Sequence, residues 1–184
     1  MKSHYRAVVI GGGVIGASTL YHLAKMGWND VVLVEKIEYT SGSTWHAAGL
    51  LPLFNMSYSV GKIHKYSVDL YQRLEAETGQ HVSFHKTGNL RLARNQERMD
   101  EYKRYCGTAS TIGVPFEMIG PAEIKKLWPF AKVDDLVGAL YHPDDGHVAP
   151  VDVTMAMLKG ARTNGAETYS EVEVTSMAQK PNDE

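Results

Sequence analysis

Three features near the start of the chain carry chemistry: a glycine cluster, an acidic residue placed after it, and a histidine in a loop of small residues. Gly11-Gly12-Gly13-Val14-Ile15-Gly16 fits the pattern G-x-G-x-x-G. In that pattern Gly11 makes a tight turn, Gly13 lets a pyrophosphate approach the backbone, and Gly16 lets a helix sit close on a strand. The phosphates then meet the free N–H groups and positive dipole end of the helix that starts at Val14. The hexapeptide alone is weak, because glycine-rich turns are common. Here residues 5–10 read as a strand before it and residues 14–26 as a helix after it. Residues 31–34 read as a second strand, closed by Glu35 about twenty residues after the motif. A carboxylate at Glu35 accepts from ribose hydroxyls and repels a 2′-phosphate, which disfavours NADP. These residues specify a bound dinucleotide and leave FAD and NAD open.

The segment Ser41-Gly42-Ser43-Thr44-Trp45-His46-Ala47-Ala48-Gly49 bears on that choice. Its small residues let the backbone run close against a ligand, and its hydroxyls can donate to phosphates. An NAD-type domain needs no such loop directly after its acidic residue. A cofactor that stretches across the domain towards a bulky ring does, so the segment favours FAD.

The stretch from Ser43 to Gly49, together with Gly11 to Gly16 and Glu35-Lys36, resembles the FAD-dependent dehydrogenases and oxidases of dimethylglycine and sarcosine. These belong to the D-amino-acid-oxidase-like superfamily, and the likeness is strongest to its dimethylglycine dehydrogenase branch. It continues through Leu74-Glu75-Ala76-Glu77-Thr78-Gly79, Gly88-Asn89-Leu90-Arg91-Leu92-Ala93 and Asp145-Gly146-His147-Val148-Ala149-Pro150, and so covers nearly the whole chain. The resemblance implies a covalent bond from His46 to the 8α-methyl group of the flavin. That bond is chemically reasonable: a neutral imidazole is nucleophilic near pH 7, and the methyl carbon of an oxidised flavin becomes electrophilic once deprotonated. It implies FAD contacts from Gly11, Gly13, Val14, Ile15, Gly16, Glu35, Lys36, Ser43, Thr44, His46, Ala48 and Gly49.

The implied reaction is oxidation of an N-methyl amino acid by hydride transfer to the flavin. Electrons pass on to an electron-transfer flavoprotein or oxygen, and tetrahydrofolate takes the one-carbon unit in a longer protein. The family's flavin domain is discontinuous, and its substrate-carboxylate ligands and any catalytic base lie in parts of the chain later than Glu184. No catalytic residue is therefore assigned within these 184 residues, which read as an N-terminal fragment inactive alone. Two alternatives stand beside this reading. One is a non-enzymatic regulator: the regulatory subunit of pyruvate dehydrogenase phosphatase resembles the same family yet lacks the histidine. The other is a dehydrogenase that binds NAD without a covalent link.

The expected architecture is α/β: a Rossmann-type FAD-binding domain, incomplete, with part of an α+β substrate domain. Residues 1–55 hold the βαβ start and flavin loop, 56–150 a helical and partial substrate region, and 151–184 a return to the FAD domain. Val60, Ile63, Leu70, Tyr71 and Leu74 recur at helical spacing over residues 60–78. Residues 87–93 alternate as a strand, Asn95 caps a charged helix running to Gly113, and Pro121 opens a short helix. Residues 137–141 and 172–177 read as strands, with a helix over 151–164. Ile15, Leu20, Leu23 and Ala24 are expected on the buried face of the first helix.

His142, Asp144, Asp145 and His147 are close enough in sequence to suggest a metal site, but Pro143 and Gly146 make a turn the better reading, and no metal is expected. His147 is a weak substrate-pocket candidate, and Ala149 stands where members of the resembled family often carry an acidic residue. His64, His81 and His85 read as surface or satisfied core histidines, and Trp45 as core. Cys106, the single cysteine, excludes an intrachain disulfide and reads as a partly buried helix thiol. Hydrophobic residues make up 43% and charged residues 22%, a globular balance, and the formal net charge of −2 gives no attraction to nucleic acid or anionic membrane. With no apolar run long enough for a membrane span and no signal-peptide cleavage site, the cytoplasm is the expected location.

Overall fold

The computed structural model describes residues 1–179; of the stretch 151–184 read as a return to the FAD domain, residues 180–184 lie outside it. In chain order the elements are β1 (Ala7–Ile10), α1 (Val14–Lys25), β2 (Val31–Val34), a short 3₁₀ turn (Thr44–His46), β3 (Leu50–Leu51), α2 (Tyr58–Thr78), β4 (His85–Lys86) and β5 (Asn89–Ala93). There follow α3 (Gln96–Ile112), β6 (Glu117–Ile119), α4 (Pro121–Leu127), β7 (Gly138–His142), β8 (Gly146–His147), α5 (Pro150–Thr163) and β9 (Glu167–Tyr169). The chain divides into two compact units. The first comprises Met1–Ala48, Arg73–Ser83 and the stretch from Ala149 onward; the second comprises Gly49–Gln72 and Phe84–Val148.

The first unit is built on a parallel sheet of order β1-β2-β9. β2 lies in the middle, with Ala7 opposite Val31 and Ile10 opposite Val34 on one side, and Val32 opposite Glu167 on the other. All four β2 residues are buried, as expected of a strand covered on both faces and rich in β-branched residues. α1 buries Ala17, Leu20, Tyr21 and Ala24. α5 meets it closely because Gly160 has no side chain: a Cβ there would lie 2.8 Å from Tyr21 Cε2 and 2.9 Å from Thr78 Cγ2.

Two expectations are corrected here. Ile15 is 78% exposed rather than buried; it sits in the first turn of α1, and its side chain borders a cleft instead of the sheet. The last strand is β9, not residues 172–177. It starts directly after the positive-φ turn at Gly165 and ends at Tyr169, and a positive φ at Glu171 (59°) interrupts the extended backbone before Val172.

The second unit carries two small antiparallel sheets, ordered β5-β7-β6 and β3-β8-β4. α3 starts where Asn95 Oδ1 accepts the Arg98 N–H at 2.9 Å, and ends at Gly113 with φ 80°. It contributes Tyr102, Tyr105 and Ala109 to a core with Leu53, Val68 and Leu140. Cys106 is half-buried on the same helix. In α2, Leu70 and Leu74 are buried as their spacing predicts, whereas Val60 and Ile63, at 39% and 64% exposure, are not. Among the described residues no helix is long and apolar enough to cross a membrane.

Within the first unit, α1 is tied to the end of α2 by one carboxylate. Glu77 Oε2 lies 2.6 Å from Lys25 Nζ and accepts from the Tyr21 hydroxyl, and its Oε1 accepts from Arg73 Nε at 2.8 Å. Lys25, then Tyr21, hold its pKa down from 4.5 to about 2. A depressed carboxylate pKa stabilises the fold above the unfolded-state value and ceases to do so as pH falls through the folded-state value. Because the side chain is 29% exposed, solvent screens the network and the expected contribution is about 1 kcal/mol. Glu77→Gln should therefore lose about that much at pH 7 in urea unfolding and match the wild type near pH 2. Equal stability at pH 7 would show that the network contributes nothing.

Candidate functional site

In the first unit, β1 ends in a backbone that only glycine can follow. Gly11 takes φ 110°, in the left-handed region, and directs the chain into α1. A Cβ on Gly16 would stand 2.0 Å from the Gly11 carbonyl oxygen, so the first turn of α1 lies against the turn that precedes it. Gly12 is equally confined, although the motif treats it as a free position. Its Cβ would meet Tyr39 Cδ1 at 2.7 Å and Glu35 Cβ at 2.9 Å.

Gly13 precedes the helix and offers no side-chain cap. The Val14 N–H is bonded instead by Thr44 Oγ1, at 3.0 Å from across the loop, and a Cβ on Gly13 would stand 3.0 Å from that same oxygen. No acidic side chain lies in the first turn, so the positive end of the α1 dipole opens on a cleft of about 550 Å³. Gly11, Gly13, Val14, Ile15, Gly16, Ser43 and Thr44 all border it. This is a cradle shaped for an anion held by backbone N–H groups.

Glu35 borders a neighbouring cleft of about 360 Å³ that shares Ile10 and Gly11 with the first. Its Oε2 accepts the Gly12 N–H at 2.6 Å and its Oε1 accepts the Ile37 N–H at 3.1 Å. Burial pushes its pKa up, but the N–H donors of Gly12, Ile37 and Lys36 outweigh that and leave it below the ordinary carboxylate value. The group is an acceptor held ionised at the end of β2, which is what a ribose diol requires. Lys36 borders the same cleft, as do Val172, Glu173 and Val174. Sequence reasoning missed these last three by assigning them to a strand. They reach the cleft because the Val172 N–H donates to the Glu35 carbonyl at 2.9 Å, beside the Glu35 N–H bonded to the Tyr169 carbonyl.

His46 closes the 3₁₀ turn with its ring exposed. Its Nδ1 lies 3.2 Å from the Gly42 carbonyl. A carbonyl only accepts, so Nδ1 carries a hydrogen, and in the neutral ring the lone pair then falls on Nε2. Trp45 is 58% exposed, not core, and lies with its ring centroid 3.9 Å from that of His46. Ala48 is exposed and ends the first stretch of the first unit. Gly49 opens the second unit with φ 70°, its carbonyl accepting the Val148 N–H at 2.9 Å.

The other candidates separate. His142 and Asp145 are buried, Asp144 pairs with Lys86 at 2.5 Å, and His147 stacks on His85 at 4.9 Å. His142 and Asp145 share one buried environment with Arg91 and Tyr105, while Asp144 and His147 have other partners, so the four side chains do not form a ligand set. Among the described residues no three His, Cys, Asp or Glu side chains are placed to hold a metal ion. His64 Nδ1 lies 3.0 Å from the Pro52 carbonyl, and His81 lies 2.8 Å from Glu75.

The chain matches the family described as FAD dependent oxidoreductase over residues 6–184. It is 45% identical over 180 residues to the mitochondrial dimethylglycine dehydrogenase of Rattus norvegicus, covering 98% of this chain and 21% of that protein. It is 40% identical over 174 residues to the mitochondrial pyruvate dehydrogenase phosphatase regulatory subunit of Mus musculus, covering 95% of this chain and 20% of that one. Of solved structures, the L-proline dehydrogenase from P.horikoshii superposes with a TM-score of 0.88 at 30% identity, over 97% of this chain and 47% of that chain. The chain thus spans about a fifth of the length of these curated relatives. Both are mitochondrial by name, which lends the cytoplasmic expectation no support.

The glycine contacts predict their own test. Gly16→Ala forces a methyl group onto a backbone oxygen that cannot swing aside and should cost about 3 kcal/mol in urea unfolding. Gly107→Ala, in α3 where a Cβ meets nothing within 4 Å, should instead stabilise, by up to about 1 kcal/mol. A Gly16→Ala protein as stable as the wild type would refute the tight α1 approach.

Proposed function

The chain belongs to the family of FAD dependent oxidoreductases, and on that premise we propose that it is the FAD-holding part of an enzyme oxidising an N-methylated amino acid, with the flavin joined to His46. Dimethylglycine is the first choice of substrate and sarcosine the second. The observation that carries the reading is the state of His46. Its ring is exposed and its Nδ1 is engaged by the Gly42 carbonyl, so that in the neutral ring the nucleophilic lone pair falls on Nε2.

The glycine cradle, which side chains would fill, fits the pyrophosphate of FAD. The N–H groups at the start of α1 take its charge, Thr44 and Ser43 supply hydroxyls, and Glu35 accepts from the ribose. Lys36 and residues 172–174 border the Glu35 cleft, assigned on this reading to the adenosine, and Ala48 and Gly49 complete the flavin loop after His46. Bound FAD supplies the hydride-accepting ring that no side chain can replace. The work of this chain is to orient that ring through His46 and to fix the phosphates.

Carboxylate recognition and any proton-accepting base are assigned to parts of the parent protein other than this chain, which is inactive alone on this reading. Electron transfer to an electron-transfer flavoprotein and transfer of the one-carbon unit to tetrahydrofolate belong to that parent protein too.

A regulatory, non-enzymatic role is favoured by one observation, the 40% identity to a phosphatase regulatory subunit. The two readings part at His46. Acid-precipitated full-length protein should keep flavin fluorescence in its band on a denaturing gel, and His46→Ala should lose it. Wild-type protein whose flavin is released into the supernatant would overturn the covalent link. Dye reduction faster with dimethylglycine than with sarcosine supports the substrate order, and no reduction with either favours the regulatory role.

A further inference from the structure

The turn between β7 and β8 holds a carboxyl group for which the flavin cradle has no use. Asp145 is 2% exposed, in the second unit. Its Oδ1 accepts the Leu53 N–H at 3.0 Å, and its own carbonyl accepts the Gly88 N–H at 2.8 Å. Beside it β8 pairs His147 with Leu50 and Gly146 with Leu51, and the Val148 N–H is bonded to the Gly49 carbonyl. One turn therefore grips residues 49–53, the backbone that follows His46-Ala47-Ala48 in the chain.

The surroundings penalise a charge at Asp145. Burial raises its pKa from 3.8 to about 6, against the Leu53 N–H and Arg91, which lower it, while Asp144 raises it further. The groups around it are Arg91 of β5, Tyr105 of α3 and His142 of β7, with Asp144 alongside and paired to Lys86 of β4. The Tyr105 hydroxyl donates to the Leu53 carbonyl at 3.2 Å and accepts from His142 Nε2–H at 3.1 Å, leaving a lone pair on His142 Nδ1. Burial, then Arg91, hold His142 down at about 4, so it brings no second positive charge at neutral pH. Asp145 Oδ2, His142 Nδ1 and Arg91 Nε are buried without a hydrogen-bond partner among the described residues.

A folded-state pKa raised above the unfolded value means that ionising Asp145 costs stability, increasingly as pH rises from about 4 to about 6. An asparagine would accept the same N–H without that cost. What it would lack is charge, and a hydrogen bond to an ionised acceptor is roughly twice as strong as a neutral one. We propose that Asp145 is a positioning residue for the flavin segment, its carboxylate holding the Leu53 N–H, and with it the course of residues 49–53, more firmly than a neutral acceptor would. This rests on the flavin-binding reading above.

The test compares Asp145→Asn and Asp145→Ala with wild type in the full-length, flavin-loaded protein. Asp145→Asn should raise the thermal midpoint at pH 8, with the gain vanishing as pH falls below about 4. It should also speed hydrogen exchange at the Leu53 amide at pH 8 about tenfold and lower the fraction of covalently held flavin. Asp145→Ala should lose the Leu53 bond and melt earlier at every pH. Unchanged exchange at the Leu53 amide in Asp145→Asn would overturn the proposal, as would faster exchange with an unchanged covalent fraction. Should wild type carry no covalent flavin, the flavin reading fails by itself, and the melting and exchange measurements still decide whether the Asp145 charge fixes Leu53.

Discussion

The first unit depends on how closely α1 can approach the turn that leaves β1. A methyl group at Gly16 would be 2.0 Å from the Gly11 carbonyl oxygen, so the helix starts almost on top of the strand end, with its N–H groups directed outward. That approach in turn confines Gly12 between Tyr39 and Glu35, and brings the Gly12 N–H to 2.6 Å from the Glu35 carboxylate. A side chain at any of these positions would separate the helix dipole from the acidic strand end. The anion-shaped cradle at the start of α1 and the ionised carboxylate beside it are thus two results of one steric constraint.

The same constraint orders the loop that follows Glu35. Thr44 can cap the Val14 N–H only because Gly13 leaves room for its oxygen. With Thr44 anchored, the 3₁₀ turn begins at a fixed place and carries His46 at its end. The bond that orients the imidazole spans only four residues, from His46 to the Gly42 carbonyl. Its direction is therefore set by local backbone and not by distant packing, which is why a short run of residue types is enough to specify it.

Reach in sequence also decides what could be read before the fold was in hand. The βαβ start, the Asn95 cap and the Pro121 helix start depend on neighbours a few residues away, and each forms where its residues indicate. Ile15 has the right helical phase for burial, but phase does not reveal where along α1 the sheet ends. Residues 172–174 have the composition of a strand, and their role at the Glu35 cleft follows from a positive φ at Glu171 that no periodicity signals. Asp145 and His142 look like polar turn residues. Their burial depends on Leu53 and Tyr105, 92 and 37 residues away in sequence.

His46 and His142 place the same imidazole ring in opposite surroundings. Both have one ring nitrogen committed as a donor, to Gly42 in one case and to Tyr105 in the other, so both keep one lone pair. In His142 that lone pair points into a fully buried interior beside Arg91, where desolvation disfavours protonation and no electrophile can enter. In His46 it lies on an exposed ring supported by Trp45, in a loop whose other end caps the phosphate cradle. Nucleophilic attachment requires a free lone pair, access for the carbon it attacks, and a ring that does not reorient. Exposure alone would supply only access, and burial alone only rigidity. The local Gly42 bond and the adjacent tryptophan ring contact His46 without enclosing it. On the proposed reading, those three conditions meet in the loop from Ser41 to Gly49 and not in the larger core of the second unit.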